Sequence, residues 1–211
     1  MNTHDRPGRL TPAPATDLAQ ALPTTPEELQ ILQTRLAAAA EREGILDVAY
    51  RTLDSPIGSL LIAATDTGLV RVAFAIEDHD QVLLSLSARI SPRILNAPGR
   101  LDTVARELDE YFAGDRRRFD LPLDWRLSTG FRNTVLHHLP EIGYGHTASY
   151  SAVAELAGNP RASRAVGTAC ATNPLPVVVP CHRVVRSDGG MGGYLGGVEA
   201  KRTLLTLETA A

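Results

Sequence analysis

The chain of 211 residues is 44% hydrophobic and has two cysteines, which permits a buried core and excludes a multi-disulfide framework or a cysteine-rich zinc site. It has no apolar run of about 18 residues, and its first 22 residues lack the apolar segment of a signal peptide, so we expect a cytoplasmic protein with no membrane partner. The net charge of −3 excludes a strongly basic nucleic-acid binder, although residues 127–211 hold seven Lys and Arg against five Asp and Glu and permit DNA contact of modest affinity.

Residues 1–46 are predicted to form an extension that consists of a flexible tail and one helix. Prolines among Thr and Ala leave too little apolar surface to order the first two dozen residues. The run Thr25-Pro26-Glu27-Glu28 then offers an N-cap, a proline at the first helical position and a glutamate three residues after the cap. Leucines at helical spacing follow, so a helix begins here.

Residues 47–126 are predicted to form a small α+β domain. Three β-rich runs at 48–53, 60–65 and 69–74 are separated by turn signals, the pattern of an antiparallel meander. Apolar residues at helical spacing follow at 81–90 and again at 101–112, and Gly114 ends the second of these helices.

Residues 127–211 are predicted to form a second, mainly helical domain. After a helix that starts near Ser128, two further helices span 150–157 and 160–171, with Asn159 as the cap of the latter. This is helix-turn-helix spacing, and the many small residues of its second helix allow close approach to a partner. The spacing alone also fits an ordinary pair of helices.

The stretch from Asn173 to Val185 is the least ordinary part of the sequence. Prolines at 174, 176 and 180 predict a rigid, strand-like arm that leads to Cys181. A cysteine beside an apolar run is commonly an inert buried thiol. His182 and Arg183 favour the thiolate instead, so we expect an unusually acidic thiol at Cys181.

Pro180-Cys181-His182-Arg183-Val184, with Asn173-Pro174 before it and Gly193-Tyr194 and Gly196-Gly197 after it, resembles the signature of the O6-alkylguanine-DNA alkyltransferases, also called methylated-DNA-protein-cysteine methyltransferases. The resemblance is close over 144–208 and loose over 52–68. It implies an α+β fold, with a ribonuclease-H-like N-terminal domain and a helical C-terminal domain that bears the helix-turn-helix. It also implies direct repair of O6-alkylguanine, with O4-alkylthymine as a further candidate, in double-stranded DNA by irreversible transfer to Cys181 without cofactor or metal.

The resemblance also implies roles for individual residues. Cys181 accepts the alkyl group, His182 takes the thiol proton through a bridging water, and Glu208 orients the imidazole. Tyr150 supports the flipped base, and Arg164 enters the stack in its place. The remaining implied positions are Ala162, Ala165 and Gly167 at the DNA, Tyr194, Gly193, Leu195 and Val184 in the base pocket, and Asn173 as a structural hinge.

The sequence departs from the family pattern at two places, and two alternative functions stay open. Leu195 stands where many members have serine or another small residue, and residues 1–46 have no counterpart in the basic two-domain family. One rival is a lesion sensor that binds the base without accepting the group, which the presence of Cys181 opposes. The other is a redox pair of Cys170 and Cys181, which their eleven-residue separation disfavours. We expect a monomer, and cooperative binding along DNA stays open.

Overall fold

The computed structural model describes residues 25–210 of the protein. A four-stranded sheet forms the centre of its N-terminal half. Its strands are β1 (Val48–Leu53), β2 (Leu60–Ala64), β3 (Leu69–Phe74) and β4 (Ile94–Asn96), in the order β3-β2-β1-β4. The predicted antiparallel meander of β1, β2 and β3 is confirmed. Strand β4 pairs parallel to β1 and was not predicted, because three residues are too few to produce an alternating pattern.

Helices cover both faces of this sheet, so the inner strand β2 is buried along its whole length. Leu60 and Ile62 point to the face covered by α3 (Asp102–Phe112), and both lie in the large hydrophobic cluster that α3 joins through Leu108. The alternate residues of β2 face α2 (His79–Arg89) on the other side. The period of two along the strand thus produces two cores.

The predicted helix of the extension, α1 (Pro26–Arg42), is present with its capping box. The Thr25 hydroxyl accepts a hydrogen bond from the Glu28 backbone N–H, and the Glu28 carboxylate accepts one from the Thr25 N–H. Ala37 and Ala40 are buried near the end of the helix, whereas its leucines are about half exposed. The tail predicted to be flexible lies outside the described residues.

The C-terminal half is mainly helical, and the α+β expectation for the chain is confirmed. Its elements are α4 (Gly130–His138), β5 (Ala148–Ser149), α5 (Tyr150–Leu156), α6 (Ser163–Ala171), β6 (Val184–Val185) and α7 (Gly197–Ala210). Helices α5 and α6 form the predicted helix-turn-helix and pack against α4 through buried aliphatic residues. No helix among residues 25–210 is long and apolar enough to span a membrane.

The predicted start of the second helix-turn-helix element at Pro160 is wrong, because α6 begins at Ser163. The Ala162 N–H donates to the Asn159 carbonyl over 2.9 Å and closes a turn between the helices. Asparagine followed by proline is the preferred start of a type I turn as well as of a helix. Here the turn forms.

The strand-like arm predicted before Cys181 is also wrong, because residues 173–180 form a compact turn. The Val179 N–H donates to the Leu175 carbonyl over 2.8 Å, and Val177 has a positive φ of 72°. The Asn173 side chain spans this turn: its amide donates to the Val179 carbonyl, and its oxygen accepts from the Leu175 N–H, both over 2.9 Å. Proline fixes φ but leaves ψ free, so three prolines do not enforce a straight chain.

The two halves share one hydrophobic cluster. The Val72 N–H of β3 donates to the Pro174 carbonyl over 2.9 Å, which ties the N-terminal sheet to the turn before Cys181. The boundaries proposed at 46/47 and 126/127 stay predictions.

Candidate active site

Cys181 opens a short 3₁₀ turn, Cys181–Arg183, directly after the Asn173 turn. Its backbone N–H donates to the Val179 carbonyl over 2.8 Å, and only 2% of the residue is exposed to solvent. Cys170, in α6, is also buried, and the two cysteines are both free thiols.

The thiol of Cys181 is not acidic, contrary to the expectation from its neighbours. Burial raises its pKa to about 11, and the opposing effects of the Asn173 side chain and the Lys201 ammonium do not overcome the loss of solvent. Arg183 does not offset burial, because its guanidinium is bound to Glu208 and to the Ile142 carbonyl. The prediction that Arg183 stabilises the Cys181 thiolate, which was based on their proximity in sequence, is therefore wrong.

His182 is fully buried beside Cys181 and is bound on one side only. Its Nε2 lies 2.8 Å from Glu208 Oε1, whereas Nδ1 is buried and has no hydrogen-bond partner among the described residues. Because an ionised carboxylate can only accept, Nε2 carries the proton and Nδ1 presents a lone pair. Burial lowers the pKa of His182 in spite of Glu208, so the imidazole is neutral near pH 7 and able to take a proton.

Glu208 lies on α7 and is surrounded by donors. Arg183 donates from Nε to Oε2 and from Nη2 to Oε1, each over 2.9 Å, and the Tyr111 hydroxyl donates to Oε1 over 2.7 Å. The Gly145 N–H donates to Oε2 over 3.3 Å. Burial alone would raise the pKa of this carboxyl, but the hydrogen bonds from His182 and Arg183 outweigh it and lower the pKa to about 2.

Tyr150 reaches the site because β5 and β6 pair in parallel, with Ser149 opposite Val185. This register brings the first residue of α5 near the turn that carries Cys181. Burial and then the two nearby cysteines raise the pKa of the Tyr150 hydroxyl, which therefore stays protonated and able to donate a hydrogen bond. A Cβ on Gly192 would lie 2.7 Å from the same hydroxyl, so the glycine-rich loop packs directly over it.

The loop 186–197 places Tyr194 beside His182. The Tyr194 ring lies 5.5 Å from that of Phe74 and 6.3 Å from that of His182, and its hydroxyl is buried without a partner among the described residues. A Cβ on Gly196 would meet the Phe74 ring at 2.7 Å. Three cavities, of about 440, 610 and 300 Å³, lie elsewhere between the described elements, and Cys181 lines none of them.

Two sequence families match this chain in tandem. Residues 48–125 match the 6-O-methylguanine DNA methyltransferase, ribonuclease-like domain, and residues 130–210 match the 6-O-methylguanine DNA methyltransferase, DNA binding domain. The chain belongs to the 6-O-methylguanine DNA methyltransferase family. The predicted family and its ribonuclease-like and helical domains are thereby confirmed, and α1 lies outside both matched ranges.

Relatives and solved structures agree with the assignment. A methylated-DNA–protein-cysteine methyltransferase of Mycolicibacterium paratuberculosis is 39% identical over 161 residues, which cover 76% of this chain and 92% of the relative. The constitutive Bacillus subtilis protein of the same name is 36% identical, with coverage of 75% and 94%. The crystal structure of Mycobacterium tuberculosis OGT in complex with DNA is 39% identical with a TM-score of 0.67, and covers 77% of this chain and 93% of its own.

The helix-turn-helix of this methyltransferase presents a mixed surface on α6. Arg164 and Ala165 are exposed, Ala162 is half-buried, and Val166 packs inward. Gly167 lies under Tyr150, where an added Cβ would be 3.9 Å from the ring. Arg164 precedes Gly167 by one helical turn, so its exposed side chain lies on the same side of α6 as Tyr150.

The four residues expected in the base pocket divide between different environments. Val184 is buried, and its carbonyl accepts a hydrogen bond from the Lys201 ammonium over 2.6 Å. Tyr194 covers His182, whereas Gly193 is exposed. Leu195 lines the 440 Å³ cavity between the two halves, beside Arg71 and Arg132.

Three residues at the site were missed by sequence reasoning. Lys201 is fully buried, and its ammonium donates to the carbonyls of Val184 and Met191, which ties β6 to the glycine-rich loop. Tyr111 comes from the N-terminal half and Phe74 from β3. A helical lysine and two core aromatics carry no local signal, since only tertiary contact gives them a role. Among residues 25–210, no cluster of three or more His, Cys, Asp or Glu suits a metal ion.

Proposed function

We propose that Cys181 accepts the alkyl group in the repair of O6-alkylguanine, and of O4-alkylthymine as a second substrate, in double-stranded DNA. The family assignment makes the chain a methylated-DNA–protein-cysteine methyltransferase, an enzyme that repairs DNA by alkyl transfer to a cysteine. The observation that carries the residue assignment is the hydrogen-bond pattern of His182, the residue next to Cys181. Its Nδ1 is unpaired while its Nε2 is held by Glu208.

The first step is removal of the thiol proton. With a pKa of about 11, Cys181 is a thiol at rest, so a base is required. His182 Nδ1 takes this proton through a bridging water molecule. The imidazolium that forms is stabilised by the Glu208 carboxylate at Nε2. Two hydrogen bonds from Arg183 keep the Glu208 carboxylate ionised.

The second step is in-line displacement at the sp³ alkyl carbon. The bond from sulfur to carbon forms as the bond from carbon to the guanine oxygen breaks, and the electron pair of that bond stays on the base. The base then takes up one proton, which balances the one that His182 removed from the thiol, and the Tyr150 hydroxyl is the candidate hydrogen-bond donor to the departing base. The product thioether has no good leaving group, so each chain reacts once.

The target base has to leave the duplex, because O6 lies on the major-groove edge of a paired base and the thiol is buried in the protein. Arg164 is exposed on α6 and fills the vacated place in the stack in this proposal. Ala162, Ala165 and Gly167 allow the helix to lie close to the DNA backbone. Asn173 fixes the turn between α6 and the reactive thiol.

A closed thiol also requires the protein to open. The loop 186–197 covers Tyr150 and His182 and is rich in glycine, with positive φ at Gly189, Gly192 and Gly197. We propose that this loop moves away as the base enters, so that Gly193, Tyr194, Leu195 and Val184 line the pocket that results.

The proposal is tested with duplex DNA that contains one O6-methylguanine. After incubation, the tryptic peptide with Cys181 should gain the mass of one methyl group, at one methyl per chain. The Cys181→Ser variant should gain none, and the matched Cys170→Ser variant should react like the wild type. A methyl group on Cys170, or turnover of many lesions per chain, contradicts the assignment.

The proposal takes the protein to be a cytoplasmic monomer that acts alone on each lesion. Sedimentation with and without the same duplex tests this stoichiometry. More than one chain on a duplex with a single lesion indicates the cooperative binding that the sequence left open.

A further inference from the structure

The carboxylate that holds His182 is contacted by a residue of the other half of the protein. Oε1 of Glu208 lies 2.8 Å from His182 Nε2 and 2.9 Å from Arg183 Nη2, and it also accepts the Tyr111 hydroxyl over 2.7 Å. Tyr111 belongs to α3 of the ribonuclease-like domain and precedes Glu208 by 97 residues. One oxygen atom therefore links the two domains to the candidate base.

The hydroxyl of Tyr111 is not needed to fill space. The ring is fully buried and packs against Phe112, Phe119 and Tyr144 with centroid distances of 5.4, 5.2 and 6.2 Å. A phenylalanine would make the same contacts. Burial of a hydroxyl is costly unless it is hydrogen-bonded, and among the described residues its partner is Glu208. Burial also raises the pKa of Tyr111 far above its usual value, so the hydroxyl stays protonated and donates at neutral pH.

We propose that Tyr111 is a positioning residue through which the ribonuclease-like domain sets the proton affinity of His182 in the DNA-binding domain. The inference rests on the proposed role of His182 as the base. A donor at Oε1 withdraws negative charge from the atom that faces the imidazole and so weakens its hold on an imidazolium proton. Loss of the donor leaves that oxygen more basic and raises the proton affinity of His182.

Other charged and polar groups face the same pair and stay unchanged when only the Tyr111 hydroxyl is altered. Those around His182 and Glu208 are Cys181, Arg183, Tyr144, Gly145, Tyr194 and Lys201. Arg183 and Lys201 are positive and favour the neutral imidazole, whereas Glu208 favours the charged one. A change of the Tyr111 hydroxyl therefore alters the proton affinity of His182 only through the charge on Glu208 Oε1.

The test is the pH profile of the rate of methyl transfer to Cys181 in a single turnover with excess lesion DNA, between pH 5 and 9. The rate falls in acid as His182 becomes protonated. In Tyr111→Phe this acid limb should move to higher pH by about one unit, so the rate falls about tenfold at the low end and is unchanged on the plateau. The control Tyr50→Phe removes a hydroxyl of the same domain on the other face of the sheet, away from the carboxylate, and should retain the wild-type profile.

A second variant guards against a purely structural effect. Incorporation of 3-fluorotyrosine at position 111 keeps the ring and makes the hydroxyl a stronger donor, so the acid limb should move to lower pH. Superimposable profiles, or an equal loss of rate at all pH values in both variants, overturn the inference. If the wild-type protein itself adds no methyl to Cys181, the proposed function fails first, so the two failures are distinguishable.

Discussion

The substitution Glu208→Gln tests the electrostatics of the site directly. Glu208 is 4% exposed and has a folded-state pKa of about 2, against an ordinary value of 4.5. Because the folded value is the lower one, the carboxylate stabilises the fold fully above pH 4.5, and this contribution is lost as the pH falls through about 2. The difference of about 2.5 in pKa corresponds to about 3 kcal/mol at neutral pH.

A second argument leads to a similar magnitude. In Glu208→Gln the guanidinium of Arg183 stays buried without its carboxylate, and removal of one partner from a buried ion pair costs about 3–5 kcal/mol. We therefore expect the free energy of unfolding in urea at pH 7 to fall by about 3 kcal/mol. The deficit should shrink to about 1 kcal/mol at pH 3, where the wild type has lost much of the contribution.

The matched control is Glu199→Gln on the same helix, α7. Glu199 is exposed and pairs with Arg202 at the surface, so its substitution should change the stability little at either pH. A deficit for Glu208→Gln that is the same at pH 7 and pH 3 would refute the electrostatic account. A deficit no larger than that of the control would refute the buried network itself.

Three further predictions concern DNA contact, the loop and the thiol. Arg164→Ala should leave thermal stability almost unchanged, because the side chain is exposed, and should slow methyl transfer about tenfold or more; equal rates for both proteins would contradict its DNA role. Gly196→Ala should destabilise the fold by about 1–3 kcal/mol in urea through its clash with Phe74, and Phe74→Leu in the same chain should restore part of the loss; without restoration the clash is not the cause. In His182→Gln, which lacks the proposed base, the rate at which iodoacetamide labels Cys181 without DNA should rise about tenfold per pH unit from 7 to 9, because the pKa of the thiol is about 11; a flat profile would mean that the thiol is already ionised.

Much of the fold followed from local patterns. The strands β1, β2 and β3 were predicted almost to the residue, because continuous or alternating apolar runs between glycine turns have few other solutions. The capping box of α1 was predicted for a similar reason, since every group it needs lies within four residues. Where the contacts that determine a helix or strand lie close together in sequence, that element could be predicted from the sequence.

The errors came where one local signal fits two structures. Asn159-Pro160 starts a turn as readily as a helix, and the hydrogen bond from Ala162 to Asn159 shows that the turn forms. The prolines before Cys181 permit a turn as well as an extended arm, and the Asn173 side chain holds the turn. In the second case a long-range hydrogen bond, from the Val72 N–H of β3 to the Pro174 carbonyl, also holds the turn.

The sequence by itself determined the family and the candidate reactive groups, because Pro180-Cys181-His182-Arg183-Val184 is a long motif within a wider pattern. The protonation state of those groups was decided by the tertiary structure alone. A pKa depends on burial and on which charges lie within a few ångströms, and neither quantity is a property of neighbours along the chain. Cys181 is therefore a protonated thiol beside a neutral His182, and the arginine next in sequence binds Glu208 instead of the sulfur.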